Sequence, residues 1–170
     1  MVDKDIRIAI VPGSFDPITK GHINIVERAT KLYDKVYLAV MINSEKDYMF
    51  TLEERERIAR AAVEDFERVE VISSSGYLWM LARDLGACAI VKGVRNEIDR
   101  EYELKMAEYN LEHYPDAETI LLPTEESLAQ ISSTAVRQRI CDKEALSEYL
   151  PDGVISEISA IFAEREGKSE

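Results

Sequence analysis

Hydroxyls, a histidine and turn-forming residues crowd into Pro12-Gly13-Ser14-Phe15-Asp16-Pro17-Ile18-Thr19-Lys20-Gly21-His22, and the chemistry that suits them is phosphate binding. Gly13 removes a side chain where a phosphate would approach the backbone. Ser14 and Thr19 offer hydroxyl donors, and Gly21-His22 sets an imidazole in the first turn of a helix, where unpaired N–H groups and the positive dipole end favour anions. Three later loops bring more of the same: Asn43 to Lys46, Lys92-Gly93-Val94-Arg95, and Thr124 to Thr134, which ends in Ile131-Ser132-Ser133-Thr134. Residue by residue, an ordinary reading stands beside this one, with Pro and Gly shaping a turn, Asp16, Thr19 or Ser132 capping a helix, and Glu53 to Arg57 forming a solvated helix face. No Gly-Lys-Ser/Thr follows the first loop, so it is not a Walker A motif, nor is it a Gly-x-Gly-x-x-Gly fingerprint.

The elements that must position these loops follow from apolar patterning. Ile6 to Val11 is a short buried-strand run, and Ile23, Val26, Ala29 and Tyr33 recur at helical spacing after the loop. Further strands are expected at Val36 to Ile42, Val69 to Ile72, Cys88 to Val91 and Thr119 to Leu122. Between them lie a helix opened by the capping box Thr51-Leu52-Glu53-Glu54, one from Tyr77 that stops at Gly86, and one from about Asp99 to His113. The remainder to about Arg165 is helical, broken at Leu150-Pro151-Asp152-Gly153, with 167–170 a frayed tail. Strand and helix alternation at this spacing predicts an α/β fold: a doubly wound, parallel five-stranded sheet with helices on both faces, of Rossmann type. Such a sheet carries every one of the polar loops on the edge formed by the strands' C-terminal ends.

The 170 residues suit one domain, taken as 1–166, with 46% apolar and 32% charged residues. A net charge of −12 argues against a nucleic-acid surface, and in so acidic a chain lysines and arginines gathered near glycine turns point to small anions. No apolar run reaches membrane-spanning length and Met1 to Asp5 is too acidic and polar for a targeting segment, so no membrane partner and a cytoplasmic location are expected. Cys88 and Cys141 lack the spacing of a zinc site and are expected to be buried or inert thiols.

Gly-Ser-Phe-Asp-Pro followed by Gly-His resembles the first signature of the nucleotidyltransferase superfamily, with Asp16 in the first of two His-type positions, and the form with Pro17 is similar to the phosphopantetheine adenylyltransferases. Further landmarks appear in order: Asn43-Ser44-x-Lys46, Phe50-Thr51-Leu52-Glu53-Glu54-Arg55, Gly93-Val94-Arg95 with Glu101-Tyr102-Glu103, and Ile131-Ser132-Ser133. The resemblance implies transfer of the adenylyl group of ATP to the 4′-phosphate of phosphopantetheine, giving dephospho-coenzyme A and pyrophosphate, with Mg²⁺ required and a homo-oligomer, a hexamer. It implies a catalytic set of Ser14, His22 and Lys46. ATP would meet Ser14, Phe15 and His22 in the first loop, Gly93, Val94, Arg95 and Glu103 further on, and Ile131, Ser132, Ser133 and Thr134 in the second signature. The acceptor would meet Ser14, Lys46, Leu78 and Lys92. No metal-ligating side chain is implied, since the ion bridges the ATP phosphates.

Three positions depart from that pattern. Lys92 stands where the family usually has Arg, Asp47-Tyr48 replaces a common Lys-Pro, and Leu128 and Gln130 replace aromatic residues ahead of Ile131 in a loop about one residue longer. They bear on the acceptor, so a related nucleotidyltransferase with another phosphorylated acceptor, and a non-catalytic nucleotide-binding module, are kept as alternatives.

Overall fold

Five parallel strands in the order β3-β2-β1-β4-β5 form the sheet of the computed structural model, which describes residues 6–168. Along the chain, β1 (Ile8–Gly13), α1 (Lys20–Leu32), β2 (Lys35–Met41), α2 (Leu52–Ala62) and β3 (Val69–Ser74) build outward in one direction. The chain then returns to the other side of β1 with α3 (Leu78–Leu85), β4 (Ala89–Val94), α4 (Glu97–His113) and β5 (Glu118–Pro123). A 3₁₀ turn (Glu126–Leu128), α5 (Ser133–Cys141) and α6 (Asp152–Gly167) complete it. The doubly wound arrangement expected from the sequence is the one observed.

Period-two alternation on the strands explains why both faces must be covered. Ala9 and Val11 of β1, Val36, Leu38 and Val40 of β2 and Ala89 and Val91 of β4 face one way. There they pack with Ile25 and Val26 of α1, Ile58 of α2, Val136 of α5 and Val154, Ile158 and Ile161 of α6. Ile10, Ala39 and Ile90 face the other way, against Ala82, Leu78, Leu81 and Leu85 of α3 and Tyr114 beyond α4. The helix ends match their sequence signals. Thr51 accepts a hydrogen bond from the Glu54 amide while Glu54 accepts one from the Thr51 amide, and Gly86 ends α3 at φ 63°.

Several expectations are corrected. Helix α6 continues through Gly167, because its turns are held by the core contacts of Ile158 and Ile161, so the expected frayed tail does not begin there. Ser169 and Glu170 lie outside the described residues, as does the Met1 to Asp5 segment judged unlike a targeting peptide. Cys88 and Cys141 are both exposed; Cys88 sits just ahead of β4 at the sheet's lower edge, its thiol donating to the Ile8 carbonyl at 3.4 Å. Among the described residues no helix is long and apolar enough to cross a membrane.

Candidate active site

Strand order reverses between β1 and β4, and there the sheet comes apart. Six residue pairs join β1 to β2, but only Ala9–Ala89 and Ile10–Ile90 join β1 to β4. Beyond Ile10 and Ile90 the two strands diverge, and a cleft of about 710 Å³ opens between their C-terminal ends, walled by Val11 to Gly13 on one side and Val91 to Gly93 on the other. Doubly wound sheets bind ligands at this switch point.

The first loop is a rigid support for one imidazole. Thr19 caps α1 and His22 is the third residue of that helix, so the imidazole takes the place a Glu holds in an ordinary capping box. The Thr19 backbone N–H donates to His22 Nδ1 at 3.0 Å. A backbone amide can only donate, so Nδ1 carries no proton and the neutral ring keeps its N–H on Nε2. Burial, with Arg95 and Lys92 nearby, lowers the His22 pKa to about 4. Phe15 packs edge-on against that ring with centroids 5.1 Å apart, holding a left-handed backbone at φ 48°. The need for Gly13 lies here too: a Cβ at that position would stand 2.8 Å from Phe15 Cζ. The glycine makes room for the phenyl ring, where the sequence suggested room for a phosphate.

Asp16 is turned inward. It is 3% exposed, and its carboxylate accepts from the amides of Met49 at 2.9 Å and Phe50 at 3.0 Å. Assigning it to one of the two His-type positions of the signature is therefore corrected: Thr19, whose hydroxyl lies 3.2 Å from His22 Nδ1, is the residue paired with the histidine.

Cations from the later loops face the same cleft. Lys92 pairs with Glu103 at 3.1 Å and Arg95 with Asp99 at 3.0 Å. Lys46 lines the cleft beside Asp47 and Tyr48. From the far side, Ile131 to Thr134 present the start of α5, with Ser132 as N-cap accepting from the Ala135 amide at 3.1 Å. Ser133 Oγ donates to the Pro17 carbonyl at 2.8 Å and Thr134 Oγ1 accepts from Arg137. Only the Ser133 hydroxyl spends its proton within the protein, so this wall offers an anion the O–H groups of Ser132 and Thr134 together with backbone N–H groups of the helix start.

Ser14, Phe15, His22, Lys46, Lys92 and Gly93 thus converge on one cleft, as do Arg95, Glu103 and Ile131 to Thr134. Val94 and Leu78 do not line it. Leu78 borders a separate small cavity of about 80 Å³, which shares Lys92 and Glu103 with the main cleft. Sequence reasoning missed two arginines. Arg55, read as part of a solvated helix face, is 2% exposed and donates to the carbonyls of Ser14 at 2.7 Å and Met41 at 3.1 Å. Its spacing with Leu52 and Ile58 placed it on the buried side of α2, a signal outweighed by the surrounding charges. Arg137 lines the cleft and donates to the Asp16 carbonyl at 2.8 Å; it lies four residues beyond Ser133, on the same face of α5.

Three of the cleft's carboxylates are engaged within the protein, Asp16 by two amides, Asp99 by Arg95 and Glu103 by Lys92, while Asp47 lines the cleft beside Lys46. Among the described residues no group of three or more His, Cys, Asp or Glu side chains could hold a metal ion.

Comparison with known proteins gives this site its context. The cytidylyltransferase-like family profile matches residues 10–139, which carry both loops and every strand but the first residues of β1. Phosphopantetheine adenylyltransferase of Streptococcus gordonii is 42% identical over 153 residues, covering 89% of this chain and 93% of that protein. The enzymes of the same name from Alkaliphilus metalliredigens and Chloroflexus aggregans are 41% and 40% identical, covering 90% and 94% of this chain and 98% and 99% of theirs. With identity of this order along nearly the whole length, the chain is a nucleotidyltransferase and belongs to the phosphopantetheine adenylyltransferase family.

Proposed function

We propose that this cleft transfers the adenylyl group of ATP to the phosphate of phosphopantetheine, the step that forms dephospho-coenzyme A in coenzyme A biosynthesis. An oxygen of the acceptor phosphate attacks the α-phosphorus in line, the bond to pyrophosphate breaks, and no covalent enzyme intermediate forms. One observation carries the reading: a neutral histidine with its proton on Nε2, a helix start and four cationic side chains converge on a cleft large enough for two phosphorylated ligands.

Two polyanions must be brought together, so the protein's work is positioning and charge compensation. His22 donates its Nε2–H to an α-phosphate oxygen, a bond that strengthens as charge develops there. Ser14 and the helix start at Ser133 and Thr134 hold the nucleotide's phosphates. Arg95 and Glu103 belong with ATP. Lys46 and Lys92 hold the acceptor phosphate, and Leu78 meets the acceptor's arm through the small side cavity. With no cluster of three or more metal-ligating side chains among the described residues, the cleft suits a magnesium ion that would arrive on ATP as part of the substrate and neutralise phosphate charge. Exposed Ile98, Tyr102 and Tyr109 on α4 support self-association into the hexamer the family resemblance implies. One nucleotidyltransferase domain and a cytoplasmic location complete the reading.

The test is formation of dephospho-coenzyme A and pyrophosphate by purified protein from ATP, Mg²⁺ and phosphopantetheine, run beside a panel of other phosphorylated acceptors. Pyrophosphate release with another acceptor and none with phosphopantetheine overturns the acceptor assignment, and no release at all leaves a nucleotide-binding module.

Lys92 gives a sharper test of the acceptor side. Its side chain is three-quarters buried and its ammonium is held by Glu103 at 3.1 Å, which fixes a point charge where the family usually has a planar fork. Lys92→Arg is expected to leave the KM for phosphopantetheine unchanged or lower it by up to about threefold. A tenfold rise in that KM would show that the Lys92–Glu103 geometry is built around an ammonium.

A further inference from the structure

The loop that carries Lys46 is fastened in an unusual way. Tyr48 reaches back five residues, its hydroxyl accepting from the Asn43 amide at 2.7 Å and donating to the Asn43 carbonyl at 3.2 Å. That pair of hydrogen bonds closes a ring around Ser44, Glu45, Lys46 and Asp47. Inside the ring the Lys46 amide donates to the Asn43 carbonyl at 3.1 Å and the Glu45 amide to Asn43 Oδ1 at 2.9 Å.

The ring is also seated on something immobile. The Tyr48 face covers the Arg55 guanidinium, whose carbon lies 3.9 Å from the ring centroid. Arg55 is itself buried and bonded to the carbonyls of Ser14 and Met41, at the C-terminal ends of β1 and β2. On the next two residues, Met49 and Phe50 are tied to the Asp16 carboxylate. A cation stacked on an aromatic face in a desolvated setting is a strong contact, and here it joins the loop directly to the wall that holds Ser14.

We infer that Tyr48 is a positioning residue for the acceptor: closed on Asn43 and seated on Arg55, it holds the loop in the conformation that presents the Lys46 ammonium to the acceptor phosphate. The inference rests on the assignment of Lys46 to that phosphate. Lys46 is a flexible point charge, so each degree of freedom removed beforehand is not lost again on binding. Neighbouring Asp47 supplies no positive charge, which leaves the placement of Lys46 to do more.

Tyr48→Phe keeps the ring on Arg55 and removes only the hydroxyl. In the full-length protein it is expected to raise the KM for phosphopantetheine about fivefold, with the KM for ATP and kcat changed less than about twofold. In a Lys46→Ala background the same substitution should add nothing, since Tyr48 acts through Lys46. Hydrogen exchange of the ligand-free protein should show faster exchange at the Asn43 amide in Tyr48→Phe, whether or not phosphopantetheine proves to be the acceptor. An unchanged Asn43 amide overturns the closure. Equal rises in both KM values, or a fivefold effect that persists without Lys46, overturns the link to the acceptor. Absence of turnover in the parent protein would instead count against the proposed reaction.

Discussion

Replacing His22 by alanine is expected to lower turnover by about 10²- to 10³-fold while leaving the affinity for ATP within about threefold. The ring's Nδ1 is occupied by the Thr19 amide, so the only proton the neutral imidazole can offer is on Nε2, and a donor aimed at developing charge acts mainly in the transition state. Steady-state kinetics and ATP binding by titration calorimetry separate the two effects; equal turnover in mutant and parent would remove His22 from the reaction. The same geometry sets a pH dependence. His22 titrates near 4 in the folded protein and near 6.5 when unfolded, so between those values the unfolded chain binds the proton and the folded one does not. The neutral ring's contribution to stability is complete above about pH 6.5, falls as pH drops toward 4, and levels off below. Urea denaturation across that range should show this loss in the parent and a shallower one in His22→Ala.

How much of this was readable beforehand differs by element. The parallel sheet and its loops were legible because each strand is a short apolar run and each helix carries a start or stop signal, such as Thr51 with Glu54 or Gly86. That His22 belongs to the cleft was legible from Gly21-His22 at a helix start. What fixes its tautomer was not, because that depends on a backbone amide that the side chains do not advertise. Gly13 was rightly singled out for the wrong neighbour, since only the folded chain places the Phe15 ring over it. Arg55 shows the limit of local charge patterning: four charged neighbours mark a solvated face, yet the ends of β1 and β2 present carbonyls that need a buried donor. Glu103 and Lys92 were assigned to different ligands, but they form one ion pair at the border of the main cleft and the small cavity.

Asp16 offers the second large effect, on stability and not on chemistry. Its carboxylate is 3% exposed, takes two backbone amides, and lies 3.7 Å from the Arg137 guanidinium, which also donates to the Asp16 carbonyl. Asp16→Ala leaves the Met49 and Phe50 amides without acceptors and Arg137 without its counter-charge, an expected loss of about 3 to 4 kcal/mol. Asp16→Asn keeps the shape and one acceptor oxygen but turns an NH₂ toward an amide that also donates, and should cost about 2 kcal/mol. Urea denaturation reads both. Because these bonds tie the segment after Tyr48 to the first loop, and the carboxylate faces those amides, the Asn variant should keep turnover within about tenfold of the parent at a temperature where it is folded. The opposite pattern, intact stability with turnover lost by orders of magnitude, would return Asp16 to the reacting phosphates and displace Thr19 as the partner of His22.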